Sequence, residues 1–371
     1  MKNSDKLFHF SLGGYYLFYF ALVGVYVIFL PKALIQLHYT PTEVGIIYSA
    51  APFMRFLLPF IFKYFIKLNI TIYHSSLILS FISSLIFLYT IDSFYLFFIS
   101  NLLFGASMGI SLPYIETIAL SQVHKSKYGK IRLWGSIGFM AIALYLGKIL
   151  DTPYDTLYYL LSMALLTMIL GMIVVRYDTN KVEKNTNKTE NFSLSKYWLF
   201  WVSVFLMQVG FAGFYNFFTI YETQHSISLE MTSWMWSFGV IAEIIMLYFQ
   251  GPLLQKNLLT IIKISIIITS FRWLILYLYP DSIILTFFAQ SLHAFSFALY
   301  HTASINYVFT IYQEKKLAQQ FFLGIAFGLG GSVGALLAGK IYGDNMFLIE
   351  SIITLIAFIF LHLHQYRKAK K

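Results

Sequence analysis

Residues 176–196 read RYDTNKVEKNTNKTENFSLSK and form the longest polar segment of the chain. Asn, Thr, Lys and Glu in that proportion cannot bury enough apolar surface to fold alone, so the segment reads as a linker. On either side lie apolar stretches of the length needed to cross about 30 Å of hydrocarbon. Six precede it, near 8–30, 42–65, 71–90, 93–119, 131–150 and 155–175, and six follow, near 198–221, 230–250, 259–279, 282–311, 320–342 and 346–366. The expected fold is an all-α polytopic membrane protein: twelve transmembrane helices in two pseudo-symmetric six-helix bundles, 1–175 and 198–371, joined by a cytoplasmic linker over 176–197.

Composition agrees with this partition. Of 371 residues 58% are hydrophobic and 11% charged, where soluble domains carry about a quarter charged residues. Connections such as 151–155 (DTPYD) and 279–282 (YPDS) are too short to hold a domain, so chemistry has to lie within the membrane. The first apolar stretch follows Lys2 and Lys6 but is too long for a signal peptide and lacks a small-residue cleavage pattern, so it reads as span one. Of the 26 Lys and Arg residues, only Lys32, Lys148 and Lys340 fall on the side away from the N-terminus, and Arg55 and Arg272 fall inside spans. The other 21 lie on the N-terminal side, which places both termini in the cytoplasm and accounts for the net charge of +10 without nucleic acid. With no cysteine, disulfides, thiolate nucleophiles and Cys-ligated zinc are excluded.

The halves carry traces of repetition. Gly135-Ser136-Ile137-Gly138 recurs as Gly331-Ser332-Val333-Gly334, each followed by Gly-Lys-Ile at 147–149 and 339–341. Aligning span two with span eight matches Ser49 with Ser237 and sets Arg55 opposite Glu243. Parallel six-helix halves around a central site describe the major facilitator architecture.

A charge at mid-bilayer costs at least about 2.5–3.5 kcal/mol, so it normally faces a cavity or a partner. Arg55 (SAAPFMRFLLP, 49–59) lies between Pro52 and Pro59, which can expose backbone carbonyls. Glu243 (WMWSFGVIAEIIML, 234–247) shares a helix face with Trp236 and Gly239. Arg272 stands in ITSFRWLILY (268–277), and Glu116, near the cytoplasmic end of span four, is expected to meet Arg132 and stabilise a gate. Structural ion pairing competes with function at each. In span ten, His293 and His301 are eight residues apart and share one broad face with Gln290, Ser296 and Asn306 nearby. Gln208, Tyr215 and Asn216 of span seven and Tyr15, Tyr16 and Tyr19 of span one add polar groups that serve equally as interhelical hydrogen bonds.

The segment YGKIRLWGSIGF (128–139), directly after LPYIETIAL (112–120), resembles the span four to span five signature of the phenylpropionate permease group of the major facilitator superfamily. The similarity continues in TPTEVGIIYSAAPFMRF (40–56), WSFGVIAEII (236–245), FRW (271–273), LHAF (292–295) with His301, and GGSVGALLAGKIY (330–342). It implies a proton-coupled symporter for a small aromatic carboxylate in a bacterial cytoplasmic (inner) membrane, more distantly related to oligosaccharide and nucleoside symporters. Two features depart from the pattern: the superfamily loop motif is not visible in FKYFIKLNITIY (62–73), and Glu116 stands where the group has Asp.

The leading expectation is alternating-access uptake of an organic anion, with Arg55 or Arg272 meeting the carboxylate and Tyr19, Gln208, Tyr215, Asn216, Trp236 and His301 lining the site. Glu243, His293 or His301 would carry the proton, and Arg55, Glu243, Arg272 and His301 would face a central cavity. A neutral sugar or nucleoside is the alternative solute, and export the alternative direction. An intramembrane enzyme using His293, His301 and Glu243 is disfavoured because no GxSG or HExxH element occurs. Single, scattered charges argue against a channel. Solute, protons and lipid are the expected partners, with no cofactor, metal or nucleic acid, and the chain is expected to act as a monomer.

Overall fold

The computed structural model describes residues 2–65, 69–177 and 193–369, and every regular element among them is helical. Most of the expected linker, and 66–68 within the loop where the superfamily motif was sought, lie outside the described residues. The chain clusters into two compact units, Met1–Thr186 and Asn187–Lys371.

Eleven helices among the described residues are long and apolar enough to cross a membrane, where the sequence predicted twelve. The difference is Lys125–Ile149, a helix of 25 residues that packs along span one. Its basic first turns, Lys148 near its end and a middle diluted by Gly, Ser, Trp and Tyr make it less apolar than its neighbours. Counting it as span five, the first unit runs through Lys6–Gln36, Pro41–Phe62, Ile70–Thr90, Phe94–Gln122, Lys125–Ile149 and Pro153–Val175. The second runs through Ser195–Gln224, Leu229–Phe249, Leu258–Leu278, Ile283–Ile311, Leu317–Ile341 and Met346–Lys368 as spans seven to twelve.

Local chemistry sets the ends of these helices. Thr40 and Thr152 each form a reciprocal cap with the acidic residue three positions on, Glu43 and Asp155, with Pro41 and Pro153 at the first helical position. Asn69, Ser228, Asn257 and Ser282 cap spans three, eight, nine and ten with side-chain oxygens. Spans one and seven terminate alike. His38 and Ser226 take left-handed backbone (φ 67° and 62°), and the following N–H groups close back, Tyr39 to the Leu34 carbonyl at 3.0 Å and Ile227 to that of Glu222 at 3.1 Å. Thr40 and Ser228 then start the next helices, so the first helix-turn-helix of each unit is built by one recipe.

The repeated Gly-Ser-x-Gly also does the same work twice. A Cβ on Gly138 would fall on the backbone of Leu17 in span one. A Cβ on Gly334 would lie 2.7 Å from the Cβ of Ala212 and 2.9 Å from the Cα of Val209 in span seven. In each unit the last glycine of the motif thus lets the fifth pass press against the first, where side chains would hold backbones apart.

Four spans depart from the sequence reading. Span seven is not one helix: it stops at Val209 and restarts at Ala212, with Gly210 and Phe211 in a turn. Spans one, ten and eleven contain wide helical turns at Val25–Phe29, Ala294–Leu299 and Leu323–Gly330, a geometry common at functional sites. By contrast, span two runs unbroken through Pro52 and Pro59. Each proline still removes one donor, which leaves the carbonyls of Tyr48 and Arg55 without their usual partner four residues on.

Candidate functional site

In the second unit, Arg272 of span nine has no solvent-exposed surface and is the centre of a polar network. Its Nη1 donates to His293 Nδ1 at 3.0 Å and to Ser296 Oγ at 3.2 Å, and its Nη2 donates to Gln290 Oε1 at 2.8 Å. All three acceptors come from span ten, where the wide turn at Ala294–Leu299 begins just after His293. Aromatic faces close the rest of the shell, with the guanidinium carbon 4.1 Å from the Phe214 ring centroid and 4.6 Å from that of Trp273. A guanidinium cannot accept a hydrogen bond, so His293 Nδ1 must be the acceptor. The ring proton then sits on Nε2, which faces Glu243 Oε2 of span eight at 3.9 Å. Span order nine, ten, eight therefore forms one chain: Arg272, His293, Glu243.

Tyr215 belongs to the same neighbourhood. The charges of both Glu243 and Arg272 act on its phenol, and its ring lies 6.3 Å from Trp236 in a parallel arrangement. Trp236 is buried and donates its indole N–H to Thr219 Oγ1 at 3.0 Å, so that donor is committed to the helix packing. His293, Phe297 and His301 stack in a column, with centroid separations of 5.2 and 6.1 Å, which puts both histidines on one face across the wide turn. His301 meets Phe322 and Phe327 of span eleven rather than the arginine. Gln208 is buried at the end of the first half of span seven and Asn216 is half-buried; among the described residues neither hydrogen-bonds to Arg272, whose partners are His293, Ser296 and Gln290.

The first unit holds two further groupings. Arg132 Nε donates to Glu116 Oε1 at 2.9 Å, Tyr128 donates to Glu116 Oε2, and the guanidinium lies 4.2 Å over the Phe20 ring. Arg55 is exposed, and its charge acts on the phenols of Tyr19 and Tyr26. Tyr19 donates to the Met108 carbonyl at 3.2 Å, and Tyr26 to Asn101 Oδ1 at 2.8 Å. Span two crosses span four closely here, because a Cβ on Gly105 would strike Ala51 and one on Gly109 would come within 2.6 Å of Leu58 Cδ1. The two arginines offered as carboxylate partners thus differ: Arg55 is exposed, whereas Arg272 is sealed, with both terminal nitrogens engaged and its Nε without a hydrogen-bond partner among the described residues.

Sequence reading passed over Tyr128, Glu222 and Glu350. Glu350 of span twelve is 1% exposed and accepts the N–H of Gly213 at the restart of span seven. Glu222 is fully buried, and neither carboxylate oxygen has a hydrogen-bond partner among the described residues. Both stand near the ends of apolar runs, where an acid looks like a boundary residue. The rule that singled out Glu243 extends to both when it is applied to the first and last turns of each span as well.

Two all-helical units, with eleven helices among the described residues long and apolar enough to cross a membrane and a buried charged network in the second unit, fit a multi-pass membrane transporter of the major facilitator type. The chain belongs to the family described as "MFS_1 like family", which it matches over residues 9–351. It is 26% identical over 240 residues to the "Probable 3-phenylpropionic acid transporter" of Escherichia coli (strain K12), covering 62% of this chain and 63% of that protein. It is 25% identical over 246 residues to the "Uncharacterized transporter YwbF" of Bacillus subtilis (strain 168), covering 64% and 61%. The matched part thus spans less than two thirds of either relative's length. Among solved structures, the nucleoside transporter NupG superposes with a TM-score of 0.79 at 18% identity, covering 96% of this chain and 98% of that one. These relatives and structural neighbours are transporters, not enzymes.

Proposed function

We propose that the chain carries a small organic anion, of the aromatic carboxylate class, across the cytoplasmic membrane together with a proton. The observation that carries this reading is the Arg272–His293–Glu243 chain. A buried guanidinium fixes the tautomer of His293, and the imidazole hands its N–H toward a half-buried carboxylate on another helix. Of the three groups only Glu243 can change charge without breaking the arginine's hydrogen bonds, since a second proton on His293 would set Nδ1–H against Nη1–H. Glu243 is therefore the proton carrier, and His301, stacked among phenyl rings, is the reserve.

The anion needs a cation with a free face, and Arg55 supplies one, with the phenols of Tyr19 and Tyr26 within its field. An aromatic carboxylate is favoured by the likeness to a protein named for 3-phenylpropionic acid. One proton moving with one monovalent carboxylate makes the step electroneutral, which removes the opposition of an inside-negative potential to anion entry. Glu116 with Arg132 and Tyr128 acts as a gate latch at the span four to span five turn. Glu243→Gln should abolish accumulation driven by an imposed pH gradient while exchange between preloaded proteoliposomes persists. Accumulation by that variant would transfer the role to His301. Counterflow with labelled phenylpropionate against a labelled nucleoside decides the solute class.

A further inference from the structure

The transport mechanism leaves Glu222 unused. It stands in the last turn of Ala212–Gln224, the second half of span seven, and has no exposed surface. Gln224 and Ser226, two and four positions on, are exposed, so the carboxyl is sealed but shallow, at the end of the unit remote from the linker. The polar groups around it are engaged with others. Tyr221 donates to the Leu276 carbonyl at 3.2 Å, Thr223 donates to the Thr219 carbonyl at 2.8 Å, His225 Nδ1 lies 2.8 Å from the Tyr221 carbonyl, and Tyr342 donates to Gln224 Oε1. Neither oxygen of Glu222 has a hydrogen-bond partner among the described residues, and Glu222 forms no ion pair among them.

The titratable and charged groups at this end come from each neighbouring element. They are Tyr221 and His225 of span seven, Glu230 at the start of span eight, Tyr277 and Asp281 at the end of span nine and in the turn after it, and Lys340, Tyr342 and Asp344 at the end of span eleven and beyond. Span twelve brings Glu350, which is held at Gly213, nine positions back along the same helix. Lys340 is the one fixed cation in this set, and it is exposed. An ionised carboxylate enclosed without donor or cation is among the costliest groups to bury, so the enclosure fits the neutral acid. Packing alone does not call for an acid, because leucine or methionine would fill similar space without desolvating two oxygens. Tyr215 and Thr219 share the helix face of Glu222, at i and i+4 to its i+7. Tyr215 lies parallel to Trp236, and Thr219 accepts the Trp236 indole N–H, so this face packs against span eight, which carries Glu243. Glu222 is two turns, about 10 Å along the helix axis, from Tyr215. We propose that Glu222 is a second proton-binding site of the carrier: a neutral carboxylic acid under the last turn of span seven, exchanging its proton with water at that end and standing on the helix face that leads to the Glu243 network. The inference rests on the proton-coupled reading above, but not on Glu243 being the carrier.

The test reads the protonated-carboxyl stretch by infrared spectroscopy on the purified full-length protein at neutral pH, which needs no solute. The wild type should show a component that Glu222→Gln removes and Glu243→Gln leaves in place. Transfer to heavy water should shift that component within minutes, as a proton in exchange with solvent requires. A spectrum unchanged in Glu222→Gln means that Glu222 holds no proton, and a component that resists heavy water for hours means a locked, structural acid; either result overturns the proposal. If Glu222→Gln does not fold, Glu222→Leu should remove the same component, and failure of both to fold would mark Glu222 as a structural group and overturn the proposal. In proteoliposomes of matched protein content, accumulation of labelled 3-phenylpropionate under an imposed pH gradient should be lost in Glu222→Gln. Full accumulation by that variant takes Glu222 out of the cycle. A wild type that ignores the gradient overturns the proton-coupled reading and the place of Glu222 in it, while the infrared component reports on Glu222 alone and so tells the two failures apart.

Discussion

At the scale of single residues, exposure decides what a charge can contribute. The Glu116 and Arg132 side chains are 23% and 32% exposed, so their attraction is worth no more than about 1 kcal/mol of stability. Glu116→Gln should therefore leave the melting temperature almost unchanged. If the pair latches a gate state, uptake should still fall by about tenfold or more, which radiolabelled uptake alongside thermal unfolding would register. Equal small effects on both would assign the pair to helix packing. The exchange Glu116→Arg with Arg132→Glu should recover only part of the loss. The cation now rests over Phe20 and Tyr16, and a carboxylate placed there would meet the negative faces of both rings. Arg272 is a different case. Three hydrogen bonds and two ring faces converge on one planar group, and lysine cannot reproduce that fork. Arg272→Lys should lose pH-driven accumulation even where the protein inserts and folds, as measured in vesicles with matched protein content.

At the scale of elements, close approach between helices is set by glycine. Gly138→Ala puts a methyl group onto the Leu17 backbone, and Gly334→Ala puts one against Val209 and Ala212. Backbone cannot yield as a flexible side chain can, so both substitutions should lower the melting temperature, by an amount corresponding to about 1–3 kcal/mol. Gly129→Ala is the control. Nothing lies within 4 Å of its Cβ, and alanine is the better helix former by about 1 kcal/mol, so it should be neutral or stabilising. An equal loss at Gly129 would mean that helix packing is not what the motif provides. The motif itself was legible in the sequence as a repeat. Its partner was not, because which helix presses on a small residue depends on packing between distant segments. The break in span seven was hidden for the same reason: FLMQVGFAGFYNFF is apolar throughout, and glycines alone do not interrupt a membrane helix. A carboxylate from span twelve, 137 positions away, is what satisfies the freed N–H groups.

At the scale of the whole molecule, the orientation drawn from charge asymmetry is open to direct measurement. The chain has no cysteine, so single-cysteine variants need no background removed. Lys184→Cys in the polar segment and Asp281→Cys in the turn before span ten should label from opposite sides with a membrane-impermeant maleimide. Intact cells should label only Asp281→Cys, and inside-out vesicles only Lys184→Cys. Labelling of both from one side would reverse or break the assignment of cytoplasmic termini.

Hydropathy, the motif strings such as LPYIETIAL and YGKIRLWGSIGF, the repeated glycines and the placement of Lys and Arg are local properties, each decided within a few residues along the chain. They were sufficient for an all-helical, multi-pass transporter, for its family, and for the suspicion that Arg55, Glu243 and Arg272 matter. What the sequence left open is which of those charges is enclosed and by what. Arg272 became a sealed hub rather than an exposed anchor because span ten supplies three acceptors and span seven two aromatic faces. Glu350 acquired a partner because a helix break from elsewhere in the chain arrived with unsatisfied donors. Burial, hydrogen-bond satisfaction and charge compensation depend on neighbours brought from far along the chain, so only the packed structure fixes them.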